Sequence, residues 1–140
     1  HNGFISLFDE LISGIHNELI KYKSKIICIN GHSLGGAMAA IFGLELQTRG
    51  FNTVVYSFGS PKTGNLELRD TIIQSGMPFF RFANTEDEFT VTPTSVSPNW
   101  NKHDDPYFYT HSGQLFSFTE NLKSISNNHS LYVYLKNLPP

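Results

Sequence analysis

A glycine-rich turn between an apolar segment and an alanine-rich segment constrains this chain more than any other feature of its sequence. The turn, residues 31–36 (Gly-His-Ser-Leu-Gly-Gly), matches the pattern G-x-S-x-G and directly follows the apolar residues 26–29. Such an apolar run is typical of a strand buried on both faces, as in the middle of a parallel sheet. Residues 37–48 predict a helix that ends near Gly50. Strand, tight turn and helix in this order predict a nucleophile elbow, which presents its serine at the end of a sheet.

The spacing of the elbow predicts an activated serine at position 33. A serine hydroxyl is a weak nucleophile until a neighbouring base takes its proton. We expect a strained backbone at Ser33, and we expect Gly31 and Gly35 to leave out side chains that would collide with the turn. Gly36 is expected to let the helix press close against the strand. The backbone N–H of Leu34 begins the helix, where the helix dipole favours negative charge, and is predicted to be one donor of an oxyanion hole.

The alternation of helix and strand continues through the first half of the chain. Apolar residues recur every three or four positions over residues 4–19, which predicts an initial helix. Residues 53–58 and 79–83 are predicted strands, and a helix capped by Asn65 and ending at Ser75 is predicted between them. This order predicts an α/β fold, with a mostly parallel sheet and helices on both faces.

The pattern changes after the third predicted strand. Residues 85–105 are polar and are predicted to form a long loop, followed by late strands at 107–110 and 114–118 and a short final helix at 127–135. The start of the long loop therefore lies at the carboxyl end of a strand, where parallel sheets place their sites.

Composition favours one packed domain over residues 1–140. Aromatic residues make up 14% and charged residues 16%, whereas disordered chains are poor in aromatics and rich in charge. The net charge of −2 and the pI near 6.3 give no bulk attraction to phosphate, so we expect no nucleic-acid partner. No apolar run approaches the ~20 residues that a membrane span needs. The sequence leaves the oligomeric state open.

Cys28 is the single cysteine, which excludes an internal disulfide and a cysteine-based zinc site. Its position in an apolar strand predicts a small buried core residue. The residue types at positions 103–105 (His103, Asp104 and Asp105) could bind a metal, but acidic loops of this kind are common. We therefore expect neither a metal nor a cofactor. The lone cysteine and the lack of a visible targeting segment favour the cytoplasm, although the chain opens at His1 and this lack says little about compartment.

Four further segments carry recognisable motifs. They are residues 1–4 (H-x-G-F), 56–65 (Tyr-Ser-Phe-Gly-Ser-Pro-Lys-Thr-Gly-Asn), 81–87 (R-x-x-N-x-x-D) and 129–132 (H-x-x-Y). Together with the elbow they resemble the class 3 lipases, the fungal-lipase-like branch of the α/β-hydrolases. The resemblance covers nearly the whole chain in one order, and it implies an α/β-hydrolase core.

The resemblance implies a catalytic triad of Ser33 as nucleophile, Asp87 as acid and His129 as base. The residues themselves agree, because Asp87 follows a predicted strand and the chain order is serine, aspartate, histidine. The implied activity is that of a serine carboxylic-ester hydrolase acting on acylglycerols or related lipids, with transient contact to a lipid interface. A phospholipase A1, a diacylglycerol lipase and a non-catalytic lipase-like binding domain are the alternatives.

Other residues compete for the roles of acid and base. The alternative acids are Glu86, Glu88, Asp104 and Asp105. The alternative base is His111, which resembles a structural histidine of the family. His32 lies inside the elbow and is expected to point away from the site. His16 is expected on a helix surface, and His1 is expected to have a packing or positioning role.

The sequence departs from the family at its start. In class 3 lipases a Ser or Thr upstream of H-x-G-F supplies the second oxyanion donor, and the lid lies between the two. We therefore expect the second donor upstream of His1, and a sheet without its N-terminal strands and lid. Losing one donor costs on the order of 10²–10³ in turnover. Residues 88–93, which follow the acid, also differ from the apolar and proline-containing segment usual in the family.

Overall fold

The structure is a computed structural model, and it describes residues 12, 14–15, 17–98 and 105–138. The strands are β1 (Ile26–His32), β2 (Asn52–Phe58), β3 (Phe79–Asn84), β4 (Val96–Ser97), β5 (Tyr107–Phe108) and β6 (Gln114–Phe118). The helices are α1 (Leu34–Thr48), α2 (Leu66–Gln74), α3 (Ile125–Asn128) and α4 (Leu131–Lys136), with 3₁₀ turns at Ile20–Tyr22 and Glu88–Val91.

A four-stranded parallel sheet in the order β1-β2-β3-β6 carries the site. All three strand pairings are parallel, which confirms the predicted α/β fold. Strands β4 and β5 form a separate antiparallel pair. Because the four strands run in one direction, the residues that follow β1 and β3 meet at the same edge.

The core lies between the sheet and the helices α1 and α2. Val55 of β2 is fully buried, and Ile72 of α2 is 2% exposed beside it. A Cβ added at Gly43 of α1 would lie 2.3 Å from Val55, so the helix approaches the strand at a distance that only glycine permits. Asn65 caps α2 as predicted, with its side chain accepting from the N–H of Leu68 at 3.0 Å.

Most of the predicted initial helix falls on residues 1–11, 13 and 16, which lie outside the described residues. The described members, including Ile12, are helical. Ile12 packs in a core cluster with Leu46 of α1 and Phe51, against which Ile27 and Ile29 of β1 also pack.

The prediction that β1 is buried on both faces was wrong. Burial alternates along the strand: Ile27 and Ile29 are half-buried, whereas Ile26 is 74% exposed. Cys28 is exposed as well, so its prediction as a core residue was also wrong. The physical reason is that α1 and α2 cover one side of the sheet, and no described helix covers the other side along β1.

We call this second side of the sheet the open face. Its described residues include Ile26, Cys28, Val54, Tyr56, Phe58, Phe80, Phe82 and Phe116. Cross-strand ring pairs run along it, with centroids 5.2 Å apart between Tyr56 and Phe80 and 6.1 Å apart between Phe80 and Phe116. Helix α4 covers only its carboxyl end, where Tyr134 packs on Phe118.

Two later segments differ from the sequence-based prediction. The predicted long loop contains the 3₁₀ turn Glu88–Val91 and β4, while residues 99–104 lie outside the described residues. The predicted final helix is two helices, α3 and α4, and His129 lies between them. None of the helices in the described part of the chain is long and apolar enough to cross a membrane.

Candidate active site

The elbow joins β1 to α1 at Ser33, whose φ of 57° confirms the predicted backbone strain. Its N–H donates to the carbonyl of Phe58 on β2 at 2.9 Å, which fixes the turn to the sheet. A Cβ at Gly31 would lie 2.0 Å from the carbonyl oxygen of Gly35, and a Cβ at Gly36 would lie 2.8 Å from the Cβ of Ser60. These two positions need glycine. The same prediction for Gly35 was wrong, because a Cβ there meets nothing within 4 Å.

Ser33, His129 and Asp87 form a continuous hydrogen-bonded relay. His129 Nε2 lies 2.7 Å from Ser33 Oγ, and His129 Nδ1 lies 2.8 Å from Asp87 Oδ2. A carboxylate only accepts, so Nδ1 carries the proton of the neutral ring and Nε2 is free to accept from the serine hydroxyl. The structure thus brings the three predicted residues into the geometry that proton transfer from Ser33 requires.

Asp87 is 1% exposed and accepts hydrogen bonds on both oxygens. Besides His129, Oδ2 accepts from the hydroxyl of Tyr134 at 2.5 Å, and Oδ1 accepts from the N–H of Phe89 at 3.0 Å. Burial, and then this hydrogen bond to Asp87, raise the pKa of Tyr134 above its usual value, so the phenol remains a donor. Three donors compensate the cost of burying the carboxylate.

Two buried asparagines tie the segment of the acid to the segment of the base. The side-chain amide of Asn84, at the end of β3, donates to the carbonyls of Glu120 and Asn128 at 2.8 and 3.2 Å. Asn128 directly precedes His129, and its amide donates back to the carbonyl of Glu86 at 2.9 Å. The two loops are therefore held to each other by bonds that do not use the relay residues themselves.

His32 does not point away from the site, so that prediction was wrong. Its Nε2 lies 2.7 Å from the backbone carbonyl of His129, and the two rings are 4.7 Å apart. A carbonyl only accepts, so Nε2 donates. Burial lowers the pKa of His32, which favours the neutral ring beside His129.

A family model described as Lipase (class 3) matches residues 1–97. The chain belongs to the class 3 lipase family. Among similar proteins, the lipase of Rhizomucor miehei is 25% identical over 130 residues, covering 86% of this chain and 33% of its own length. Phospholipase A(1) DAD1 of Arabidopsis thaliana, a chloroplastic protein, is 30% identical over 114 residues, covering 70% of this chain and 25% of its own.

Solved structures of this family are similar in fold. The Rhizomucor miehei triacylglyceride lipase superimposes with a TM-score of 0.68 at 26% identity, over 86% of this chain and 45% of that one. A triacylglycerol lipase whose catalytic centre is a serine protease triad gives a TM-score of 0.69 at 26% identity, over the same shares. The class 3 lipase chain described here thus spans between a quarter and a half of the length of these relatives.

The competing acids and bases lie apart from the relay in this class 3 lipase chain. Glu86 accepts from the side chain of Asn121, and Glu88 and Asp105 are exposed. His111 Nε2 lies 2.7 Å from the carbonyl of Thr90, so it donates there and does not bond to Ser33. The expectations for His1, His16, His103 and Asp104 fall outside the described residues.

The predicted oxyanion donor, the backbone N–H of Leu34, lies at the start of α1. Leu34 is the first residue of α1, where backbone N–H groups have no acceptor within the helix. Its role stays a prediction, as does that of any second donor. Within the described ranges no group of His, Cys, Asp or Glu is arranged to hold a metal ion.

Tyr134 and Asn128 are the site residues that the sequence did not reveal. The H-x-x-Y motif points to Tyr132, but Tyr132 is 73% exposed while Tyr134, two residues later, is fully buried against Asp87. Spacing from His129 cannot distinguish the two, because the direction of each side chain depends on where α4 begins. Asn128 precedes the predicted base and carries no sequence pattern of its own.

Proposed function

We propose that this chain is the catalytic core of a serine carboxylic-ester hydrolase acting on acylglycerols. The observation that supports it is the hydrogen-bonded relay from Ser33 through His129 to the buried Asp87. The distance from His129 Nε2 to Ser33 Oγ is 2.7 Å, and the distance from His129 Nδ1 to Asp87 Oδ2 is 2.8 Å. Membership of the class 3 lipase family supports the same activity.

The mechanism follows from the geometry of the relay. Ser33 Oγ attacks the ester carbonyl carbon while His129 Nε2 takes the hydroxyl proton, and the N–H of Leu34 donates to the resulting oxyanion. The tetrahedral intermediate collapses, the C–O bond to the alcohol breaks, and His129 returns the proton to the leaving alkoxide. Water then hydrolyses the acyl-enzyme by the same steps. Asp87 keeps the ring in the useful tautomer and stabilises its cation.

Exposed apolar side chains next to the relay support an apolar acyl group. Leu34, Phe89, Val91 and Leu131 are 49%, 43%, 63% and 44% exposed, and each lies within four residues of Ser33, Asp87 or His129. Exposed apolar side chains that flank the relay residues along the chain favour a lipid ester over a small polar one, and transient contact with a lipid surface.

A phospholipase A1 is the second candidate, because a phospholipase A(1) is among the similar proteins at 30% identity. The relay is the same for both activities, and the alcohol that leaves differs. Release of fatty acid from triolein, diolein and phosphatidylcholine vesicles by the full-length protein separates a lipase, a diacylglycerol lipase and a phospholipase.

Replacement of the nucleophile tests the proposal. In the full-length protein, Ser33→Ala is expected to lower turnover of short and long p-nitrophenyl esters by ~10⁴-fold or more, because the acyl-enzyme cannot form. Ser24→Ala, an exposed serine in the turn before β1, is the control and should keep wild-type turnover. Unchanged turnover by Ser33→Ala would contradict the proposal. A wild-type protein that turns over no ester would favour a lipase-like binding domain.

A further inference from the structure

Four consecutive backbone carbonyls, those of residues 90–93, accept hydrogen bonds from two residues elsewhere in the described part of the chain. We call residues 87–93 the acid loop. The bonds are His111 Nε2 to Thr90 O at 2.7 Å, Lys62 Nζ to Val91 O at 2.6 Å, Lys62 N to Thr92 O at 2.7 Å and Lys62 Nζ to Pro93 O at 2.9 Å. Lys62 alone supplies three of the four and therefore fixes the position of the far end of the loop.

Phe89, near the start of the acid loop, contacts both the acid Asp87 and the base His129. The N–H of Phe89 donates to Asp87 Oδ1 at 3.0 Å, and the Phe89 ring packs on the His129 ring with a centroid distance of 4.2 Å. A displacement of the 3₁₀ turn Glu88–Val91 would move a donor of Asp87 and the ring against His129 together. Because the imidazole has to keep its orientation for proton transfer, the position of this turn affects the geometry of the relay.

The ammonium group of Lys62 donates its hydrogen bonds to backbone carbonyls and not to a carboxylate of the described residues. Of the ion pairs formed within the described part of the chain, none includes Lys62. Partial burial, and then the nearby charge of Arg81, lower the pKa of Lys62, so the ammonium is held at some cost. Hydrogen bonds from a charged donor are about twice as strong as neutral ones, which compensates that cost.

We propose that Lys62 is a positioning residue for ester hydrolysis: by holding the carbonyls of the acid loop it keeps Phe89 against His129 and so keeps the imidazole aligned with Ser33. This inference rests on the proposed hydrolase function. The hydrogen bonds that Lys62 forms with the described residues go to the carbonyls of Val91, Thr92 and Pro93 and not to Ser33, Asp87 or His129, so it acts through the loop.

The variant Lys62→Met removes the ammonium and keeps an unbranched side chain that is one atom shorter. We expect kcat for a short, soluble p-nitrophenyl ester, whose acyl group is too small to depend on the apolar side chains of the loop, to fall by about 10-fold with KM within about 2-fold, because a misaligned base slows the chemical step. Lys62→Arg keeps charged donors and is expected to restore kcat to within about 3-fold of wild type. Lys25→Met, an exposed lysine in the turn before β1, is the matched control.

A spectroscopic readout separates positioning from mere stability. The proton between His129 Nδ1 and Asp87 gives a low-field ¹H NMR signal, assigned by its loss in His129→Gln. In the full-length protein this signal is expected to shift or broaden in Lys62→Met and to stay unchanged in Lys62→Arg and Lys25→Met. Urea midpoints for all variants report stability separately. If Lys62→Met does not fold, Lys62→Gln carries the test, with a smaller loss of kcat expected because it keeps one amide donor group.

Each outcome decides the inference. A lowered kcat with a shifted low-field signal and rescue by Lys62→Arg supports it. Wild-type kcat and signal in Lys62→Met would overturn it, and so would a loss of kcat with an unchanged signal. A wild-type protein without esterase activity would remove the proposed function, and the low-field signal would then still show whether Lys62 positions His129.

Discussion

The carboxyl end of the sheet and the open face are built from the same four strands, but their side chains differ in burial and in hydrogen bonding. At the carboxyl end, Asp87, Asn84 and Tyr134 are buried and each is hydrogen-bonded to another loop. On the open face, Ile26 is 74% exposed and Cys28 is exposed, in strands whose other side is packed under α1.

The difference shows that local sequence and burial are separate kinds of information. The bonds at the carboxyl end join loops that follow neighbouring strands, so the parallel sheet itself brings the partners together. Burial of the open face depends on which segments pack against it, and the sequence of an apolar strand does not show whether such a segment is present. The following predictions test this contrast, from the largest expected effect to the smallest.

Substitution of the elbow glycine is expected to have the largest effect. In Gly31→Ala the new Cβ would lie 2.0 Å from a backbone oxygen of Gly35, so the strand and helix must separate. We expect the free energy of unfolding to fall by more than about 4 kcal/mol or the protein not to fold. Gly35→Ala, whose Cβ meets nothing within 4 Å, is the control and should lose less than about 1 kcal/mol in urea denaturation. Equal losses would mean that the turn relaxes.

The buried and open sides of the sheet are compared by the same change at two isoleucines. Ile72 of α2, which is 2% exposed and packs in the core cluster against Val55 of the sheet, is expected to lose about 2–5 kcal/mol of unfolding free energy on Ile72→Ala, because the substitution leaves a cavity. Ile26→Ala on the open face is expected to change it by no more than about 0.5 kcal/mol. Urea denaturation of the full-length protein measures both. A comparable loss at Ile26 would show that the open face is covered.

The two tyrosines of α4 give the smallest contrast. Tyr134→Phe removes the donor to Asp87 Oδ2 and is expected to cost about 1–3 kcal/mol of stability, with a parallel loss of ester turnover, because a buried carboxylate loses a hydrogen bond. Tyr132→Phe, at a side chain that is 73% exposed, should be neutral within about 0.5 kcal/mol. If Tyr132→Phe is the damaging change, the register of α4 differs from the one described.

How much of the molecule the sequence predicts depends on the range of the interaction concerned. The elbow and the cap at Asn65 were predicted, because a strained turn and a helix start depend on adjacent residues. The parallel sheet followed from the alternation of helices and strands. The exposure of Cys28 was missed, because it depends on the packing of distant segments.

The relay was anticipated from a family resemblance, while the residues that hold it were not. Ser33, Asp87 and His129 lie in recognisable motifs, and the structure brings them together. Tyr134 and Lys62 support the relay through contacts to residues 47 and 29 positions away, which no local pattern encodes. The orientation of His32 toward His129 depends likewise on a pairing across the fold.

Labelling with a fluorophosphonate probe tests the central claim most directly, because the probe reacts with a serine activated by a neighbouring base. With the full-length, folded protein we predict about one probe per chain, located by peptide mapping on Ser33, absent in Ser33→Ala and strongly slowed in His129→Gln. Absence of labelling in folded wild-type protein, or labelling of a different serine, would contradict the account.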